Sequence, residues 1–202
     1  PIDCDTLVLE TTFGSPQYVF PDQKEVTDEF IAWVEKEARS NLVVLAGYSL
    51  GKAQELTKIS NLAGFTPLVH ESIFEMNEIY KAHGKDVGNY ELLDHNIKEF
   101  SVLIIPPQLI NRFLLATLKE FDSRKIVSAI ATGWAYARGF DKLFSLSNHA
   151  DYNDLIEYVK LANPKLVLTD HGQCEEFSRK LNRLGFRSKP LKQHKQQVLF
   201  DF

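Results

Sequence analysis

The chain has 202 residues and a mass of 23.1 kDa, so it forms one large domain or two small ones. Hydrophobic residues make up 44%, charged residues 25%, and the formal charge is −4, a globular composition that excludes a disordered chain, a collagen and a coiled coil. No apolar run approaches the ~18 residues of a membrane span, and the first residues do not show the charged-then-apolar pattern of a secretory signal. The two cysteines, Cys4 and Cys174, cannot build a disulfide framework, which predicts a reducing, cytoplasmic location.

Short apolar runs alternate along the chain with segments of helical periodicity. The apolar runs predict strands at residues 5–10, 41–46, 65–70, 102–105, 125–131 and 165–170. Apolar residues spaced three or four apart predict helices at residues 22–38, 50–63, 73–84, 108–120, 150–162 and 173–184. This alternation predicts an α/β fold with right-handed crossovers and a largely parallel sheet that is covered on both faces.

The segment Gly47–Gly51 fits the pattern G-x-S-x-G between a predicted strand and a predicted helix. A nucleophilic serine needs that strand–turn–helix context, so Ser49 is a candidate for a serine acyl hydrolase. His171 follows a later strand and could act as the base, with Asp141 or Asp151 as the acid. The structural alternative is a tight turn in which the serine only caps the helix.

Two of the six histidines, His149 and His171, each lie near a carboxylate at the edge of a predicted element. Glu10 ends the first predicted strand, and residues that follow parallel strands gather at the carboxyl edge of a sheet. A carboxylate that orients one histidine, beside a second histidine that ligates a metal, is sound hydrolase chemistry. A catalytic zinc needs at least three protein ligands, however, and the sequence has no HxH or HxxxH pair to supply them.

A third candidate is a phosphate contact at the helix that begins near Leu50. Free N–H groups, a glycine at Gly51 and the charge of Lys52 suit an anion, although this is not a Walker loop. The alternative is that Lys52 simply faces solvent.

Five ordered segments together resemble the β-CASP branch of the metallo-β-lactamase superfamily. They are LETTFGSPQYVFP (9–21), AGYSLGKAQEL (46–56), ATGWAYARG (131–139), FSLSNHADYNDL (144–155) and LVLTDHG (166–172). Members of this family are nucleases that act on RNA or DNA, including repair nucleases. The segments 13–21 and 68–80 are most similar to prokaryotic exonucleases of the mRNA 3′-end processing or DNA-ligase-associated type.

The resemblance implies roles for individual residues. Glu10 matches the motif A acid, His149 the motif B histidine and His171 the motif C histidine. In the family, the motif C histidine ligates one of two zinc ions, and the motif B histidine is a general acid that the motif A acid orients. The resemblance also places Lys52 near the nucleic-acid path, and we predict Ser49, Gly51 and Arg138 as further nucleic-acid-binding residues. It weakens the interpretation of Ser49 as a nucleophile, because relatives often carry alanine there.

One difference from the family concerns the metal. The HxHxDH signature and the other early ligands of the family precede motif A, and the printed chain starts just before it. We therefore expect an N-terminal metallo-β-lactamase half to be the missing partner, and the chain alone to be inactive. The exposed apolar face left by its absence predicts homo-oligomers.

The sequence therefore predicts three regions. Residues 1–12 would be the last strand of the lactamase N-terminal half, residues 13–125 a Rossmann-like β-CASP domain, and residues 126–202 the C-terminal part of the lactamase domain. The predicted function is a zinc-dependent nuclease with RNA or single-stranded DNA as its partner and no membrane association. The alternatives are a serine acyl hydrolase using Ser49 and an inactive nucleic-acid-binding module.

Overall fold

The computed structural model describes residues 2–94, 97–134 and 139–191. Two compact units divide the chain. The described residues within 1–19 and 149–202 form the first, which we call the discontinuous unit, and those within 20–148 form the second, the inserted unit. The elements in chain order are β1 (Thr6–Glu10), α1 (Gln23–Glu37), β2 (Asn41–Ala46), α2 (Lys52–Leu62), β3 (Leu68–Val69), α3 (Glu71–Ala82), β4 (Glu91–Leu92), β5 (Val102–Ile105), α4 (Arg112–Phe121), β6 (Lys125–Ala131), β7 (Lys142–Phe144), α5 (Tyr152–Ala162), β8 (Leu166–Asp170), α6 (Cys174–Arg183) and β9 (Ser188–Pro190).

The inserted unit contains a six-stranded sheet in which every described pair is parallel, in the order β4-β3-β5-β2-β6-β7. Alternate residues of β2 enter different hydrophobic clusters. Val43 and Leu45 pack with α1 and α2, whereas Leu42 and Val44 pack with α4. Both faces of the sheet are therefore covered, which explains why its central strands are continuous apolar runs.

The first helix shows how local sequence builds this unit. Asp22 caps α1 by accepting hydrogen bonds from the backbone N–H groups of Lys24 and Glu25. The apolar stripe of the helix is buried, and its Phe30 ring stacks on Phe144 of β7 with a centroid distance of 3.8 Å. The covered α/β fold is thus confirmed.

The discontinuous unit contains the parallel sheet β1-β8-β9. Glu10 at the end of β1 lies in register with Asp170 at the end of β8. One face packs on α5 and α6 around the buried residues Val159, Val167 and Phe177. The other face carries Val8, which is 58% exposed and in register with Leu168.

Several boundaries differ from the sequence-based prediction. The helix predicted at 108–120 begins only at Arg112, because Pro106 is followed by a 3-10 turn and Asn111 supplies the cap of α4. The strand predicted at 65–70 is reduced to Leu68–Val69.

β6 pairs with β2, and β7 pairs with β6, so these two strands complete the sheet of the inserted unit. The boundaries 1–12, 13–125 and 126–202 remain our proposal for how the domains of the family divide the chain.

Helices long and apolar enough to cross a membrane do not occur among the described residues.

Candidate active site and nucleic-acid-binding residues

Glu10 and His149 form a hydrogen-bonded pair in the discontinuous unit. The Glu10 Oε1 and His149 Nδ1 atoms lie 3.0 Å apart, although the two residues are 139 positions apart in the sequence. Glu10 is placed by the end of β1, and His149 lies two residues before Asp151, the N-cap of α5. A carboxylate at Nδ1 favours the tautomer in which Nδ1 carries the proton.

The Glu10 carboxylate is itself held in place by Thr12. The Thr12 hydroxyl donates to Glu10 Oε2 at 2.6 Å, and the Thr12 backbone N–H donates to the same oxygen at 3.0 Å. Partial burial raises the pKa of Glu10, but the hydrogen bonds from Thr12 and His149 outweigh it and hold that pKa below its ordinary value. Glu10 is therefore ionised at neutral pH, as an orienting carboxylate must be.

His149 has a second neighbour from the same segment. The Phe13 ring is buried and meets the imidazole edge-on, with a centroid distance of 5.8 Å and an interplanar angle of 83°. The ring is therefore contacted by residues from both ends of the run Glu10–Phe13.

His171 follows β8 in a strained backbone conformation. Its φ is 63°, in the left-handed region that non-glycine residues rarely adopt, and Gly172 has a φ of 56°. The buried Thr11 hydroxyl donates to the carbonyl oxygens of His171 at 2.7 Å and Asp170 at 3.0 Å. These bonds fix the backbone while the exposed side chain remains accessible.

His171 fits one ligand position of a zinc site but not a whole site. An imidazole nitrogen is a normal zinc ligand, and catalytic zinc takes at least three protein ligands. Within residues 2–94, 97–134 and 139–191, no group of three or more His, Cys, Asp or Glu could hold a metal ion.

The turn before α2 in the inserted unit depends on its glycines. A Cβ atom at Gly47 would lie 2.6 Å from Leu56 Cδ1, and Gly51 has a φ of 83°. The Gly51 N–H donates to Gln54 Oε1 at 2.6 Å, and Gln54 Nε2 donates to the Ser49 carbonyl at 3.0 Å. The tight turn that the G-x-S-x-G pattern predicted is present.

The expectation of free N–H groups at this helix start is wrong for two of them. The Lys52 N–H donates to the Leu50 carbonyl at 3.1 Å, and the Ala53 N–H donates to the Tyr48 carbonyl at 3.0 Å. These two N–H groups are therefore already bonded to carbonyl oxygens of the same turn, so they are not available to bind an anion.

Lys52 does not face solvent either. Its side chain is 9% exposed, and its ammonium donates to the Glu55 carboxylate and, at 2.6 Å, to Asn148 Oδ1. A phosphate contact by Lys52 would therefore have to replace one of these partners.

Ser49 belongs to a chain of polar groups. Its Oγ lies 2.9 Å from Ser72 Oγ, which lies 3.0 Å from His70 Nδ1. Both acids considered for the serine hydrolase have other structural partners: Asp141 accepts from the backbone N–H and the hydroxyl of Ser128, and Asp151 caps α5. Arg138 lies outside the described residues.

The residues that hold Glu10, His171 and Lys52 in place were not predicted from the sequence. Thr11 and Thr12 stand directly after Glu10 in the run ETTF, and Asn148 directly precedes His149. Adjacency to a candidate residue was the available signal, but a threonine in a polar run gives no indication of which atom it will contact.

The chain is similar to one described family and to several known proteins. Residues 141–189 match the family described as "Zn-dependent metallo-hydrolase RNA specificity domain". The chain is 33% identical over 191 residues to a "Probable DNA ligase" of Opitutus terrae, covering 91% of the chain and 18% of the relative. It is 24% identical over 197 residues to "DNA ligase 6" of Arabidopsis thaliana, covering 87% and 14%.

A third relative is the "DNA cross-link repair 1A protein" of Gallus gallus, 23% identical over 203 residues and covering 90% of the chain and 20% of the relative. The chain thus spans a fifth or less of the length of these relatives.

Proposed function

Because this chain belongs to the β-CASP branch of the metallo-β-lactamase superfamily, we propose that it is part of a metal-dependent nuclease that hydrolyses phosphodiester bonds in RNA or single-stranded DNA. The observation that carries the proposal is the 3.0 Å hydrogen bond between Glu10 and His149, which brings an orienting carboxylate to a histidine. The descriptions of the related proteins, RNA specificity for the family and cross-link repair for one relative, both concern nucleic acids. Following the motif resemblance, the proposed mode is exonuclease cleavage of the mRNA 3′-end processing type.

In this proposal, His149 is the general acid. Glu10 accepts the hydrogen bond from Nδ1 and fixes both the tautomer and the direction of the ring. His149 acts from its imidazolium form, which carries a proton on both ring nitrogens: Nε2 gives its proton to the leaving oxygen as the P–O bond breaks, and the neutral ring that remains keeps the Nδ1 proton bonded to Glu10. General acid catalysis of this kind contributes ~10²–10⁴-fold. Phe13 packs against the ring and limits its movement.

We propose that His171 is a metal ligand of a two-zinc site. Zinc in such a site generates a hydroxide nucleophile at neutral pH by lowering the pKa of bound water. The described residues supply one ligand, so the remaining ligands must come from elsewhere in the protein. The Thr11 hydroxyl would hold the His171 backbone in the conformation that presents the imidazole.

We also propose that Ser49, Gly51, Lys52 and Arg138 line the nucleic-acid path, which the resemblance implies for Lys52. Because Lys52 is already paired with Glu55 and Asn148, its contribution to phosphate binding depends on an exchange of partners.

The test uses the longest reading frame that contains this chain and compares His149→Ala with His83→Ala. His83 is an exposed histidine at the end of α3 and serves as the matched control. We expect His149→Ala to lower kcat on labelled single-stranded RNA or DNA by ~10²–10⁴-fold at unchanged zinc content, and His83→Ala to remain within a few-fold.

Activity of His149→Ala within a few-fold of the wild type would refute the assignment of His149. Binding of single strands without any cleavage would support the inactive binding module instead. Loss of esterase activity in Ser49→Ala would support the serine hydrolase.

A further inference from the structure

Thr12 makes both of its Glu10 contacts to the same carboxylate oxygen. Its hydroxyl, at 2.6 Å, and its backbone N–H, at 3.0 Å, donate to Oε2, and Oε1 faces His149 Nδ1 at 3.0 Å. The carboxylate therefore uses one oxygen for its own segment and the other for the histidine.

We infer that Thr12 is a positioning residue, whose hydroxyl locks the Glu10 side chain in the rotamer that serves His149. This inference rests on the proposed function for its effect on cleavage, but not for its effect on Glu10. The Thr12 hydroxyl and N–H both donate to Glu10, so we infer that Thr12 acts through that carboxylate.

The physical need for such a lock comes from the exposure of Glu10. Its side chain is 44% exposed at the end of an edge strand, where a glutamate samples several rotamers and its carboxylate is solvated. A long exposed side chain pays rotamer entropy to hold one geometry, which is why most exposed pairs contribute little. Two donors on one oxygen remove that freedom before His149 is engaged.

The neighbouring threonine makes the role of Thr12 distinct. Thr11 is fully buried and its hydroxyl donates to the His171 and Asp170 carbonyls, so it fixes backbone. Thr12 is only half-buried, and its hydroxyl contacts a side chain. A substitution at Thr12 can therefore change Glu10 without removing support from the strand ends.

The test compares Thr12→Val, which keeps the shape and removes the hydroxyl, with Thr12→Ser, which keeps the hydroxyl. Thr6→Val, at the exposed start of β1, is the control. The first readout is the titration of the Glu10 carboxyl carbon by NMR in this chain. We expect Thr12→Val to raise the pKa of Glu10 towards its ordinary value, and Thr12→Ser and Thr6→Val to leave it as in the wild type.

The second readout is cleavage by the longest reading frame. We expect Thr12→Val to lower kcat by about ten- to a hundredfold at unchanged KM, less than the loss of the general acid itself, and Thr12→Ser to restore it. The effect is partial because the Thr12 backbone N–H still donates to Oε2 in the variant.

The two readouts separate the two hypotheses. An unchanged Glu10 titration in Thr12→Val would overturn the positioning role, and so would a Thr12→Ser variant that behaves like Thr12→Val. If Thr12→Val shifts the Glu10 titration but the wild-type protein cleaves no nucleic acid, the positioning role of Thr12 stands and the proposed function is overturned. If Thr12→Val does not fold, Thr12→Ala is titrated in its place.

Discussion

Lys52 is nearly buried in the inserted unit, and we expect its two polar contacts to stabilise that unit. Its ammonium donates to the Glu55 carboxylate and to Asn148 Oδ1, and the side chain is 9% exposed. Replacing it with methionine keeps an unbranched chain of similar length in the same space and removes only the charge and its hydrogen bonds. Lys52→Met therefore isolates the polar contribution of this residue from its packing.

The expected loss follows from the two contacts. A hydrogen bond to a charged group contributes about 1.5–3 kcal/mol. The Glu55 side chain is 25% exposed and so recovers part of its solvation from water when the partner is lost. The free energy of unfolding should therefore fall by about 2–4 kcal/mol in Lys52→Met.

Lys58, on the same helix, provides the matched control. Its ion pair with Asp86 is exposed on both sides, with side-chain exposures of 49% and 83%. Exposed pairs contribute about 0–1 kcal/mol, so Lys58→Met should cost no more than that.

The assay is urea unfolding followed by tryptophan fluorescence. Trp33 and Trp134 are the two tryptophans of the chain, and both belong to the inserted unit, so the signal reports on that unit. If Lys52→Met loses no more stability than Lys58→Met, the buried pairing is not formed in solution. Lys52 would then be available to a phosphate without an exchange of partners.

Two further predictions concern single positions. Gly172→Ala should destabilise the chain by about 1–3 kcal/mol more than Gly185→Ala in a thermal melt, because a Cβ at position 172 would lie 2.5 Å from Thr12 Cα. Gly185 is the control, since it also has a positive φ but a Cβ there would have nothing within 4 Å. Equal losses of stability would refute the close approach at Gly172. Hydrogen bonds from Arg124 outweigh burial and hold the pKa of Asp122 below its ordinary value, so the stability that this carboxylate contributes is complete above ~pH 4 and is lost as the pH falls through the folded pKa. Asp122→Asn should therefore be less stable than the wild type at pH 7, and the difference should shrink in acid; a constant difference from pH 7 to about pH 2 would contradict this.

The strands whose bounds could be predicted from sequence are long enough, and buried enough, to form a recognisable apolar run. Strands 41–46 and 102–105 are buried on both faces, so their apolar runs are nearly continuous. Their predicted bounds, and those of strand 125–131, match the structure. The short strands Lys142–Phe144 and Ser188–Pro190 were missed. Each has three residues, too few for a period to be recognised, and forms only because a longer strand offers an edge.

The candidate site also has one part that could be predicted from sequence and one part that could not. The resemblance of ordered motifs indicated Glu10 and His149 as a pair, and the structure brings them together across 139 positions. The burial of Lys52 could not be predicted, because it depends on Asn148, which lies 96 positions away. Polar contacts of this kind are decided by tertiary packing and leave no periodic signal in the sequence.

The interruption of the discontinuous unit has a consequence for how the chain folds. Thr11 and Asp170, whose backbones are hydrogen-bonded where β1 and β8 end, are 159 positions apart, with the whole inserted unit between them in sequence. Closing so long a flexible loop is slow, because the chain entropy is lost before any strand contact compensates for it. When residues 20–148 have already folded, that entropy has been lost in making their own core. The strand pairing that aligns Glu10 with Asp170 is thus favoured as a late event in folding. Mutations that slow the folding of the inserted unit should therefore delay formation of the Glu10–His149 hydrogen bond, although they lie far from it in sequence.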